Sequence, residues 1–145
     1  MRKHIHVGMD VGASAVKCIV LDTDGKILWR QYIHHDCRVM ETVERVMTDL
    51  VAVYEGSEEF LCMTGQGGED IAERFGVSFI PEIAAQTNYL SRFGRDMDAV
   101  IEIGGESAKI TYLHPVVDQR VNRICAGGTG AFLGHMAKLL GKDTM

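Results

Sequence analysis

Short apolar runs punctuated by glycine open the chain. His4 to Asp10, Ala15 to Asp22 and Lys26 to His34 read as three strands, the last two joined by Asp22-Thr23-Asp24-Gly25, where Asp-Gly is a strong hairpin signal. The period then changes. Met40, Val43, Met47, Leu50, Val51 and Tyr54 recur at helical spacing, with Gly56 as the stop. Phe60 to Thr64 predicts a short strand running into Thr64-Gly65-Gln66-Gly67-Gly68. Ile71, Ala72 and Phe75 predict a short helix closed by Gly76, Val77 to Ile80 a brief strand, and Ile83 to Phe93 a helix ended by Gly94.

The same order then begins again. Asp98 to Ile103, Ser107 to Leu113 and Val116 to Arg123 predict three strands, and Thr129 to Leu140 a helix closed by Gly141. The pattern βββαβαβα is followed by βββα, so the chain divides into a first lobe, residues 1–96, and the beginning of a second, residues 97–145. Three strands and one helix cannot cover both faces of a sheet. The second lobe is therefore expected to be unfinished and the chain to be the front portion of a longer protein; a self-contained protein with an atypical second half is the alternative.

Composition narrows the classes. The 145 residues are 46% hydrophobic and 24% charged, ordinary for a soluble globular protein. A net charge of −5 and no basic cluster argue against a nucleic-acid surface. No apolar run has membrane-spanning length, and the run after Met1-Arg2-Lys3-His4 reaches Asp10 too soon for a signal peptide. Cys18, Cys37, Cys62 and Cys125 are scattered without a CxxC pair, which suits a reducing, cytoplasmic setting.

The repeat carries the chemistry. Asp10-Val11-Gly12-Ala13-Ser14-Ala15-Val16-Lys17 aligns with Glu102-Ile103-Gly104-Gly105-Glu106-Ser107-Ala108-Lys109: acid on acid, Gly on Gly, Lys on Lys. Each copy reads as strand, tight glycine turn, strand. Bare backbone N–H groups at such a turn suit phosphate oxygens, and an acid beside them implies an intervening cation, hence a Mg-nucleotide. Asp10 is the expected Mg anchor, through water. Ser14 and the N–H groups of Gly12 and Ala13 would touch the outer phosphates, and Glu102, Gly104 and Gly105, with Glu106 beside them, would meet them from the other side of a cleft. Two ordinary hairpins with exposed acids are the bland alternative. Lys17 and Lys109 are either charge partners for phosphate or caps on strand edges.

Other residues are less specific. Thr64-Gly65-Gln66-Gly67 either approaches the nucleotide or is only a turn. Cys125, in Cys125-Ala126-Gly127-Gly128-Thr129-Gly130, precedes the last helix, where a thiol is readily a thiolate and so a metal ligand; an inert lone cysteine is the alternative. Cys18 and Cys62 read as small core hydrophobes. The histidines lack ligand spacing and are expected at edges and turns. Trp29 reads as packing.

Gly8-Met9-Asp10-Val11-Gly12-Ala13-Ser14-Ala15-Val16-Lys17, Ile101 to Lys109 and Cys125-Ala126-Gly127-Gly128-Thr129-Gly130-Ala131-Phe132-Leu133, in that order, resemble the activator components of 2-hydroxyacyl-CoA dehydratases and the related ATP-hydrolysing subunits of benzoyl-CoA reductase. These belong to the actin, sugar-kinase and heat-shock-chaperone superfamily. The resemblance implies an α/β, ribonuclease-H-like (actin-type) fold. It also implies ATP and Mg, and a homodimer holding one [4Fe-4S] cluster between its subunits. ATP hydrolysis there drives a hinge change that passes a low-potential electron to a partner dehydratase or reductase. It puts Asp10, Gly12 and Ser14 in the first phosphate motif, Gly104 and Gly105 in the second, and Cys125 on one of two cluster cysteines per subunit.

The sequence departs from the family where Asp is usual and Glu102 stands, at Glu106 (usually Gln), Ser107 (Asp), Gly68 (often Arg) and Gln86 (His). Such changes resemble the long, fused versions of these activators. The second cluster cysteine and the adenosine-binding segment are expected beyond Met145, and the chain on its own is expected to show weak or no ATPase activity. A small-molecule kinase of the same superfamily, with a sugar or acid as acceptor, and a catalytically silent nucleotide-binding lobe are the two alternatives.

Overall fold

The computed structural model describes residues 4–93, 97–105, 107–122 and 130–142. The chain separates into two compact units, residues 1–85 and 86–145. The first contains β1 (His4–Val11), β2 (Ala15–Leu21), β3 (Ile27–His34), α1 (Val39–Tyr54), β4 (Glu58–Thr64), α2 (Gly68–Phe75) and β5 (Ser78–Phe79). Its sheet has the order β3-β2-β1-β4-β5. The β1–β2 and β2–β3 pairs are antiparallel, whereas β1–β4 and β4–β5 are parallel. Helix α3 (Glu82–Phe93) crosses the division. The second unit adds β6 (Ala99–Ile103), β7 (Ala108–Tyr112) and β8 (Asp118–Asn122), antiparallel in that order, and α4 (Gly130–Leu139).

The predicted elements are all present; β2, β3, β6 and β7 are slightly shorter than predicted, and β1, β4 and α3 slightly longer. The Asp22–Gly25 bend forms as its residues dictate. Gly25 takes φ 82°, and the Asp22 carboxylate accepts the N–H groups of Asp24 and Lys26. Strand β5 is two residues rather than four, because it pairs only with Cys62 and Met63 at the sheet edge and Pro81 follows with no N–H to give. Strand β8 starts at Asp118, past the bend after Pro115.

Alternation builds the first core. Ile5, Val7, Met9 and Val11 of β1 are buried with Val16, Cys18 and Val20 of β2, Met63 of β4, and Ile71 and Ala72 of α2. Helix α1 covers this face with Val43, Val46 and Leu50, while Met40, Met47 and Tyr54 pack at the margin. The predicted stripe is therefore rotated slightly: Val46 is fully buried and Val51 is 56% exposed. Trp29 packs against the same core. In the second unit Leu90 and Thr111 are buried, whereas Ile101, Ile103, Leu139 and Leu140 are each at least half exposed. Among the described residues no helix is long and apolar enough to cross a membrane.

Truncating the two α1 valines separates the buried stripe from the predicted one. Val46→Ala should lower the unfolding free energy by about 2 kcal/mol, from two lost methyl groups plus a cavity. Val51→Ala should stay within about 0.5 kcal/mol of the parent. Urea titration of both variants measures the difference; equal losses would contradict the packing.

Candidate functional site

Strand β1 delivers Asp10 on the face opposite to its core residues. Across the antiparallel pair Asp10 lies in register with Lys17, and Lys17 with Tyr32. Lys17 Nζ donates to Asp10 Oδ2 at 2.7 Å and stands 5.9 Å from the centre of the Tyr32 ring. The turn between the strands closes on itself, Gly12 N–H donating to the Ala15 carbonyl at 3.0 Å. A Cβ on Gly12 would meet that carbonyl at 3.2 Å and Lys17 Nζ at 3.6 Å, so glycine keeps the backbone open beside the acid.

The Thr64–Gly68 loop belongs to this site. Gly67 N–H donates to the Val11 carbonyl at 3.0 Å, fixing the loop against the end of β1. Gly65 adopts φ 98°, and a Cβ there would stand 2.5 Å from Asp10 Oδ1 and 2.6 Å from the Val11 carbonyl carbon. Any side chain at that position would force Val11 or Asp10 to shift. Thr64 is the β4 neighbour of Asp10 in the parallel register. Asp10 Oδ1 and Thr64 Oγ1 are both buried without a protein hydrogen-bond partner. A carboxylate oxygen and a hydroxyl side by side are hard donors of the kind a partly hydrated magnesium ion, or its water, takes from a protein, so these residues fit Mg.

The second turn repeats the first. Glu102 is in register with Lys109, and Gly104 N–H donates to the Ser107 carbonyl at 2.8 Å. The acid–lysine contact is looser, 3.7 Å against 2.7 Å. Gln86, from α3, donates weakly to Glu102 at 3.5 Å and accepts from the buried Thr111 hydroxyl at 3.0 Å. The first residue of α4 docks on this turn. Gly130 N–H donates to the Gly104 carbonyl at 2.8 Å, and a Cβ on Gly130 would meet that oxygen at 3.0 Å. Gly105 lies at the same corner, near the electropositive helix start.

Several expectations change. Lys17 and Lys109 do not cap sheet edges. Each sits on a middle strand, β2 between β3 and β1, β7 between β6 and β8, and each faces an acid. His35 was expected at an edge or turn; it is in a turn but only 5% exposed, bonded to the turn between β1 and β2. Sequence reasoning also missed Thr64 and Gln86 as neighbours of the acids. Glu106 and Cys125 lie outside the described residues. Cys18 is in the core, its thiol pushed up to about 12 by burial. The Cys62 thiol is also raised by burial. Neither suits a thiolate ligand. Among the described residues no group of three or more His, Cys, Asp or Glu side chains is placed to hold a metal.

No family model matches the chain. An uncharacterised protein of Methanocaldococcus jannaschii is 30% identical over 142 residues, covering 94% of this chain and 56% of that protein. The (R)-2-hydroxyglutaryl-CoA dehydratase activating ATPase of Acidaminococcus fermentans is 26% identical over 138 residues, 92% of this chain and 53% of that protein. The solved structure of component A of the A. fermentans (R)-2-hydroxyglutaryl-CoA dehydratase matches with TM-score 0.77 and 24% identity, over 96% of this chain and 55% of that one. An activator of the 2-hydroxyisocaproyl-CoA dehydratase from Clostridium difficile, with bound ADPNP, matches with TM-score 0.70 and 23% identity, over 96% and 53%. The chain spans about half the length of the curated relatives it matches. It is a homologue of the A. fermentans activating ATPase and shares the fold of the two activator structures.

Two glycine substitutions test the close approach at Asp10. Gly25→Ala and Gly65→Ala both force alanine into positive φ, at about 1 kcal/mol or somewhat more. Gly25 has nothing within 4 Å of its would-be Cβ, whereas Gly65 meets Val11 and Asp10. Gly65→Ala should therefore lose at least about 2 kcal/mol more in thermal or urea unfolding. Equal losses would mean that the loop is not seated on the carboxylate.

Proposed function

We propose that the chain binds Mg-ATP at the Asp10–Ser14 turn and acts in an ATP-dependent activator of a 2-hydroxyacyl-CoA dehydratase-type partner. One observation carries the reading: a carboxylate set at a glycine turn, one oxygen on Lys17 and the other buried without a protein partner, in a homologue of an activating ATPase. Asp10, with Thr64 beside it, would hold magnesium or one of its waters. The N–H groups of Gly12 and Ala13 and the Ser14 hydroxyl would take phosphate oxygens, and Lys17 would exchange part of its contact with Asp10 for phosphate charge. Glu102 would orient magnesium or the attacking water, with Gly104, Gly105 and Glu106 giving further phosphate contacts. Positioning and charge neutralisation are most of what phosphoryl transfer asks of a protein.

The finer part of the proposal is the electron. Cys125 would be one ligand of a [4Fe-4S] cluster shared in a homodimer, and the cluster would supply the low-potential electron delivered to the dehydratase or reductase. What supports this is the order of the three motifs and the homology over 92% of the chain.

Calorimetric titration with Mg-ADPNP, together with iron and sulfide analysis after anaerobic purification, tests both parts. Asp10→Asn should weaken binding at least tenfold and remove its dependence on magnesium. Cys125→Ser should lose iron while keeping nucleotide affinity. An Asp10→Asn protein that binds Mg-ADPNP like the parent would refute the assignment. ATP turnover that phosphorylates a small acceptor in an iron-free protein would replace it with a kinase.

A further inference from the structure

We propose that His35 is a positioning residue that aims the amide groups of the first phosphate turn; this rests on reading the Asp10–Ser14 turn as a phosphate site. His35 follows β3 and is 5% exposed, and its bonds run to the turn from both side chain and backbone. Its own N–H donates to the Ser14 carbonyl at 3.2 Å. Its Nδ1 lies 3.2 Å from the Cys37 N–H and its Nε2 3.2 Å from the Gly12 carbonyl. A backbone N–H can only donate, so Nδ1 is the acceptor. The ring proton therefore sits on Nε2 and is donated to Gly12.

That bond has a directional consequence. In a trans peptide the C=O of one residue and the N–H of the next point in opposite directions. Holding the Gly12 carbonyl on the buried imidazole thus turns the Ala13 N–H the other way. That N–H donates to no other described residue, so it remains available to an anion.

The chain takes an unfavourable path to make this possible. Asp36 and Cys37 have φ of 45° and 65°, a left-handed pair without glycine, and that bend is what returns the Cys37 N–H to Nδ1. The His35 carbonyl then accepts from Arg38 N–H at 2.7 Å, and the Arg38 carbonyl accepts from the Thr42 hydroxyl at 2.9 Å, joining the bend to the start of α1. A histidine that merely filled the core would need none of this.

Two amides divide the roles of the ring. In His35→Gln the side-chain NH2 reaches the Nε2 position and can still donate to Gly12. In His35→Asn the carbonyl oxygen can accept from Cys37, but nothing reaches Gly12. For Mg-ADPNP we expect His35→Gln to stay within about threefold of the parent and His35→Asn to weaken binding about tenfold. The Ala13 amide resonance of the nucleotide-free protein should shift in His35→Asn and stay near the parent position in His35→Gln. Long-range nitrogen spectra of the unmodified protein should show the proton of His35 on Nε2. A proton on Nδ1, or an Asn variant that matches the parent in affinity and in its Ala13 resonance, would overturn the proposal. If the parent binds no nucleotide, the phosphate reading fails, while the tautomer and the Ala13 resonance still decide the role of His35.

Discussion

Strand β1 buries Ile5, Val7, Met9 and Val11 on one face, and that burial is what holds Asp10 on the other. Each of those side chains contributes about 1.5–3 kcal/mol relative to exposure. A slip of one residue would send all four to the far face and bring Asp10 into the core. The register is further fixed from both sides, by the antiparallel ladder to β2 and the parallel ladder to β4. The first places Lys17 opposite Asp10 and the second places Thr64 beside it. Residues distant in sequence are thus brought to one carboxylate by a hydrophobic constraint, not by their own attraction. The ion pair itself, about a third to a half exposed, adds no more than about 1 kcal/mol.

The unit of strand, glycine turn and strand is built twice with the same hydrogen bond across the turn but different closeness at the acid. Aspartate reaches its lysine at 2.7 Å; the longer glutamate stands off at 3.7 Å, with Gln86 donating weakly to its other oxygen. Glu102 has Lys109 at Oε1 and Gln86 at Oε2, whereas Asp10 Oδ1 is buried and unmatched. A polar atom in that state costs about 1–3 kcal/mol, which a cation or its water can recover on binding. That difference makes the first turn the better-supported anchor for a Mg-nucleotide.

Much of this was legible in the sequence because periodicity and glycine carry direct physical meaning. The strands followed from apolar runs, the Asp22–Gly25 bend from its residues, and the twin turns from acid, glycine and lysine in matching positions. The rest depends on contacts that no local pattern encodes. Val46 and Val51 are both apolar on α1, and only packing decides that Val46 is buried. Lys17 looked equally like an edge guard until strand order placed it mid-sheet. His35 was hidden because its left-handed bend uses Asp36 and Cys37, where a reader looks for glycine. A lone histidine beside His34 offers no spacing to read. Thr64 and Gln86 acquire meaning only through neighbours supplied by other elements.

The central claim is that the backbone of the first turn faces a magnesium-bound phosphate chain. Backbone amide spectra recorded while Mg-ADPNP is added test it most directly. The account predicts that the largest displacements fall at Gly12, Ala13 and Ser14, and that they collapse when magnesium is chelated. Saturable nucleotide binding that leaves those three amides unmoved would contradict it.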